Sequence, residues 1–96
     1  VLDVACGSGI VSRRAATLVG PTGRTTGIDL SPGQIRVAQE RSRTLGQHWS
    51  EYLVMDALHL ELADASFNVV VAQFPHFPDR ARCIGEMLRV LQPGGA

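Results

Sequence analysis

Four short apolar runs in this chain are separated by segments of helical spacing, and that alternation leaves little choice of fold. Val1-Leu2-Asp3-Val4-Ala5, Thr25-Thr26-Gly27-Ile28-Asp29, Trp49 to Met55 and Phe67 to Ala72 read as strands, rich in branched and aromatic side chains. Ile10 to Val19 reads as a helix with Val11, Ala15 and Leu18 inward, and Gly20-Pro21 ends it. Ser31-Pro32-Gly33-Gln34 opens a second helix with a cap, a first-turn proline and a capping-box partner; Ile35, Ala38 and Leu45 form its inner face. Asp79 caps a third, Arg80 to Leu91, with Ala81, Ile84, Leu88 and Leu91 inward and Arg82 spaced to pair with Glu86. Asp56 to Ala65 is a loop or short helix, and the prolines of Phe74-Pro75-His76-Phe77-Pro78 make that stretch a loop. An alternating strand–helix order implies an α/β fold, a parallel sheet with helices on both faces and right-handed crossovers.

With 96 residues the chain is expected to form a single domain, residues 1–96. Nine Arg balance five Asp and four Glu, so no cationic surplus points to nucleic acid. The longest apolar run, Val69 to Ala72, is far short of a membrane span, and no signal-peptide pattern precedes it. Cys6 and Cys83 make neither a disulfide framework nor a metal-ligand spacing, which suits a reducing, cytoplasmic setting with no metal. The chain opens inside a strand without Met and stops on Gly94-Gly95-Ala96, as a segment of a longer protein would.

Three features fall at the carboxyl ends of successive strands, where open α/β sheets bind ligands: Gly7-Ser8-Gly9, Asp29 and Asp56. The glycines let a ligand approach the backbone, and the helix beyond them offers free N–H groups to an anion; a plain strand-to-helix turn is the alternative. Asp29, 20 residues after Gly9, can accept from both hydroxyls of a ribose, or cap the next helix. Asp56 can accept from an adenine amino group, with small Ala57 leaving room for the ring, or cap the following turn. Asp3 stands inside a buried strand and needs backbone donors, water or a cationic ligand group.

These residues resemble the class I S-adenosylmethionine-dependent methyltransferases, most closely the group containing ubiquinone/menaquinone-biosynthesis C-methyltransferases and many small-molecule methyltransferases. The likeness runs through Val1–Gly9, Gly27–Ser31, the stretch from Asp56-Ala57 through Leu60, Ala63–Phe67 and Val69-Val70, and Glu86–Gly95, in family order. It implies a Rossmann-like three-layer sandwich with a partial parallel sheet of strand order 3-2-1-4, strands five to seven lying outside these residues. It implies S-adenosylmethionine as methyl donor and a small molecule as acceptor. By the same likeness, the Ala5–Gly9 loop would wrap the methionine part, and Asp3 would hold its ammonium group directly or through water. Asp29 would hold the ribose, Leu30 would lie against the adenine, Asp56 would bond the adenine amino group with Ala57 beside it, and Gln73 would sit near the methyl end. Ala5 replaces the family's commoner glycine, Asn68 replaces an aspartate, and the loop from Gln73 to Pro78 is shorter than in relatives.

Methyl transfer from a sulfonium needs alignment more than acid–base help, so no catalytic residue is assigned. His76 lies in the right region for a base, but a loop histidine without a partner is ordinarily surface, and His48 and His59 have less to recommend them. Cys6 reads as a small buried thiol, and Trp49, Phe74 and Phe77 as packing. The 96 residues alone are expected to be inactive. Two other readings stay open: a fragment of a dinucleotide-binding oxidoreductase, and a donor-binding module without catalysis. Against the first, Ser12 occupies the position of the third glycine, and Asp3 and Asp56 would lack a purpose.

Overall fold

A computed structural model describes residues 1–73 and 79–96. The elements are β1 (Leu2–Val4), α1 (Ile10–Val19), β2 (Thr25–Asp29), α2 (Pro32–Thr44), β3 (Ser50–Val54), β4 (Val70–Ala72) and α3 (Arg80–Val90). The strands form one parallel sheet in the order β3-β2-β1-β4, with Asp3 opposite Gly27 on one side and Val71 on the other. The expected fold class and strand order are both present.

On one face, Leu2, Val4 and Ile28 pack with Ala57, Leu60, Cys83 and Val90. Full burial of side chains like Leu2 and Ile28 is worth roughly 1.5–3 kcal/mol each. On the other face, Ile35 and Ala38 of α2 close over Tyr52, with Cys6 against them.

Helices α1 and α3 are rotated from their sequence-based faces, whereas α2 keeps Ile35 and Ala38 inward as expected. Helix α1 buries Ser12 and Ala16, while Val11 and Leu18 are exposed. Polar groups before β3 fix this rotation: the Trp49 indole donates to the Ala16 carbonyl at 2.9 Å, and Gln47 Nε2 to the Arg13 carbonyl at 3.1 Å. Small Ser12 and Ala16 allow the helix to sit close on the sheet. Helix α2 buries Ile35, Ala38 and Ser42 and leaves Leu45 exposed. Helix α3 turns Cys83, Met87 and Val90 to the core, leaving Ala81, Ile84 and Leu88 outside. Arg82 and Arg89 set that orientation. Arg82 Nε donates to the Leu58 carbonyl, and Arg89 donates to the carbonyls of Leu60 and Leu62. Glu86 therefore pairs with Arg89 at 2.8 Å and not with Arg82.

Strand β4 is shorter than expected because Phe67 forms a lone parallel bridge with Leu91, and its amide bonds the Val90 carbonyl. On the outer edge of β4, the Ala96 amide donates to the Asn68 carbonyl and the Val70 amide to the Ala96 carbonyl. The link after β3 contains turns and no helix. Candidates His76, Phe74 and Phe77 lie outside the described residues. Among the described residues, no helix is long and apolar enough to cross a membrane.

Candidate functional site

Parallel strands deliver their carboxyl ends to one edge of the sheet, and the loop Ala5–Gly9 crosses that edge. Ala5 has φ 60, Gly7 φ 56 and Gly9 φ 86, so the chain turns through three left-handed residues before α1 begins. Gly9 is the N-cap of α1, and its amide donates to the Cys6 carbonyl at 2.9 Å.

The two glycines do different work. A Cβ on Gly7 would meet nothing within 4 Å. A Cβ on Gly9 would stand 3.0 Å from Ala38 Cβ and 3.1 Å from Tyr52 Cε1. Gly7 leaves backbone open to a ligand, whereas Gly9 lets α1 and its loop settle onto Tyr52 and α2.

Asp29 holds the loop in place. Its Oδ2 accepts from the Gly7 amide at 2.9 Å and its Oδ1 from the Ser31 amide at 2.9 Å. Ser31 Oγ caps α2 by accepting from the Gln34 amide at 3.2 Å. The expected capping box is thus half-made, because Asp29, not Gln34, takes the Ser31 amide. Asp29 thus ties down Ser31, the residue that caps α2, and each of its oxygens keeps a lone pair beyond the backbone bond.

Asp56 lies just past the neighbouring strand, and the Met55 amide donates to the Asp29 carbonyl at 3.1 Å, which sets the two acids on one rim. Asp56 is exposed, and its Oδ1 accepts from the Leu58 amide at 2.9 Å. Leu30, 66% exposed, supplies an uncovered apolar surface beside Asp29. Ala57 is 7% exposed and belongs to the core cluster, so its side chain supports the rim from beneath and does not line it.

A cavity of about 250 Å³ opens between β1 and the loop, lined by Asp3, Ala5, Cys6, Gly7 and Gln73 among others. Larger cavities between α2 and β3 and beside α1 lack these acids. Burial pushes the Asp3 carboxyl up; the Ser12 hydroxyl and amide oppose this, and Asp29 adds to it. Burial, then Asp3 and Asp29, push the Cys6 thiol up to about 12, which keeps it protonated and unreactive as a nucleophile at neutral pH. Among the described residues, no group of three His, Cys, Asp or Glu side chains could hold a metal ion. Cys6 and Cys83 are both free thiols.

All of Asp3, Ala5, Gly7, Gly9, Asp29, Leu30, Asp56 and Gln73 are on or around this edge; Ala57 alone is turned into the core. Sequence reasoning missed Tyr52, which underlies the loop, and the role of Ser12. Ser12 is fully buried and donates to Asp3 Oδ2 at 2.6 Å. A serine held this way, where a dinucleotide fold uses glycine, weighs against the oxidoreductase reading.

The sequence matches the family described as "Methyltransferase domain" over residues 1–95. The demethylmenaquinone methyltransferase of Listeria welshimeri is 37% identical over 97 residues, covering 99% of this chain and 41% of that protein. The chain therefore spans about two fifths of that relative's length. The arsenic(III) S-adenosylmethionine methyltransferase of Chlamydomonas reinhardtii superposes with a TM-score of 0.90 and 35% identity, over 98% of this chain and 35% of that one. A 4+2 cyclase, SpnF, superposes with a TM-score of 0.89 and 34% identity, over 98% of this chain and 35% of its own.

Proposed function

The chain belongs to the methyltransferase-domain family, whose methyl donor is S-adenosylmethionine, and from that membership we propose that the full-length protein methylates a small-molecule acceptor. Residues 1–96 supply the donor-binding part of a methyltransferase domain.

The donor supplies a methyl group on a cationic sulfur; as the acceptor's lone pair closes on the methyl carbon, the C–S pair returns to sulfur, leaving a neutral thioether. What this chain must do is hold and aim. Asp29 accepts from the ribose hydroxyls with the lone pairs its backbone bonds leave. Leu30 covers one side of the adenine, and Asp56 accepts from its amino group. The Ala5–Gly9 loop and the start of α1 face the methionine carboxylate, Asp3 faces its ammonium group, and Gln73 borders the methyl end. Alignment at about 3–3.5 Å supplies most of the acceleration, and a base is needed only where the acceptor must lose a proton. Free thiols fit a reducing cytoplasm.

One observation carries this reading: the Gly7–Asp29 hydrogen bond, which makes loop and ribose acid a single preformed cradle. The test is calorimetric titration of the full-length protein with S-adenosylmethionine, wild type against Asp29→Ala. Binding by the wild type and none by the variant supports the reading; equal affinity ends it.

The methyltransferase match over residues 1–95 does not favour the other reading, a donor-binding module without catalysis. A protein that binds S-adenosylmethionine but transfers no methyl to any of a panel of phenols, hydroquinones and thiols would favour it.

A further inference from the structure

Asp3 is the middle residue of β1 and is 3% exposed, yet it lines the cavity beside Gly7 and Gln73. A buried carboxylate is tolerated only with donors around it. Ser12, in the first turn of α1 and fully buried, provides one through its hydroxyl, 2.6 Å from Oδ2. Tyr52 braces the pair from below. Its ring packs so tightly under β2 that a Cβ on Gly27 would fall 2.7 Å from Cδ1. Its buried phenol oxygen has no hydrogen-bond partner.

We propose that Ser12 is a positioning residue for donor recognition: by clamping Asp3 Oδ2 it fixes the carboxylate so that the second oxygen receives a primary ammonium group in the cavity. This rests on the crevice being an S-adenosylmethionine site. Ser12 also opposes the protonation that burial favours. The other ionisable groups bearing on this pocket are Asp29 from β2, Cys6 from the loop, Tyr52 from β3 and Arg13 from α1; β4 places Val71 beside Asp3. Removing the hydroxyl leaves the Ser12 amide alone to favour the anion against burial and Asp29.

The chemistry separates two ligands. S-adenosylhomocysteine carries the amino-acid end; 5′-methylthioadenosine has the same nucleoside and a thioether but no ammonium group. In the full-length protein, Ser12→Ala is expected to weaken S-adenosylhomocysteine about tenfold and to leave methylthioadenosine within about twofold. The pH below which S-adenosylhomocysteine affinity falls moves upward in the variant, a shift that a packing defect would not produce. Added to Asp3→Asn, Ser12→Ala costs no further affinity. Ser12→Cys, nearly the same size and a poor donor, is expected to behave as Ser12→Ala and guards against a folding defect. Equal losses for both ligands, or none, would overturn the proposal. Binding of neither ligand by the wild type would instead overturn the site on which it rests.

Discussion

Gly7 donates its backbone amide to Asp29 Oδ2 at 2.9 Å, across 22 residues of sequence. The acid at the end of β2 thereby latches the loop after β1, while its other oxygen holds the start of α2 through the Ser31 amide. Asp29→Ala breaks both bonds. It is expected to reduce S-adenosylmethionine affinity by about a hundredfold or more and to lower stability by roughly 1–3 kcal/mol. Calorimetry and urea unfolding read the two losses separately.

Asp3 trades stability for charge. Its pKa is raised in the fold above the ordinary value of 3.8, so the folded state holds the proton more tightly than the unfolded state. Stability from this group is present below about 3.8 and is lost as pH rises to the folded pKa. Asp3→Asn is therefore expected to be more stable than wild type at neutral pH, with the gain vanishing in acid, and to bind S-adenosylhomocysteine more weakly. Urea midpoints measured from pH 3 to about 8 check the sign.

Ala5 sits at φ 60, a region where a Cβ is strained. Ala5→Gly relieves that strain and gives back part of it in unfolded-chain entropy, for a net gain of about 0.5–1 kcal/mol. Thermal unfolding would show a higher midpoint with unchanged donor affinity.

Arg89 ties α3 to the segment after β3 through the carbonyls of Leu60 and Leu62 and the carboxylates of Glu86 and Asp64. Its hydrogen bond holds Glu86 below the ordinary value of 4.5. That contribution is complete above about 4.5 and lost as pH falls through the lower folded value. Arg89→Met is expected to lower the urea midpoint at pH 7 and to flatten this acid limb.

The exposed apolar residues Ile10, Leu18, Ile84 and Leu88 leave both helical layers with uncovered stripes. The 96-residue chain on its own is expected to self-associate. Leu18→Glu with Leu88→Lys should shift it toward monomer in analytical ultracentrifugation.

The order of elements and the caps at Ser31 and Asp79 were legible because each depends on neighbours within a few residues, and the acids on one rim followed from the parallel sheet that this order implies. The faces of α1 and α3 were not, and that of α2 was legible only at Ile35 and Ala38. Helix α1 carries apolar Val11 and Leu18 on one side and small Ser12 and Ala16 on the other, and it is the second side that meets the sheet. Apolar periodicity cannot rank two stripes on one helix, and it treats a buried serine as surface. Tyr52 escaped for a related reason: its part in the site is steric, as a floor beneath Gly9 and Gly27, and only the close contacts across strands reveal it.

The carboxylate that fastens the loop uses one lone pair per oxygen on backbone and keeps the others in reserve. On the proposed reading, arrival of a nucleoside requires no ordering of this segment, so the entropy of shaping the cradle belongs to folding rather than to binding. Hydrogen exchange at the Gly7 amide is therefore expected to be slow both with and without added S-adenosylmethionine.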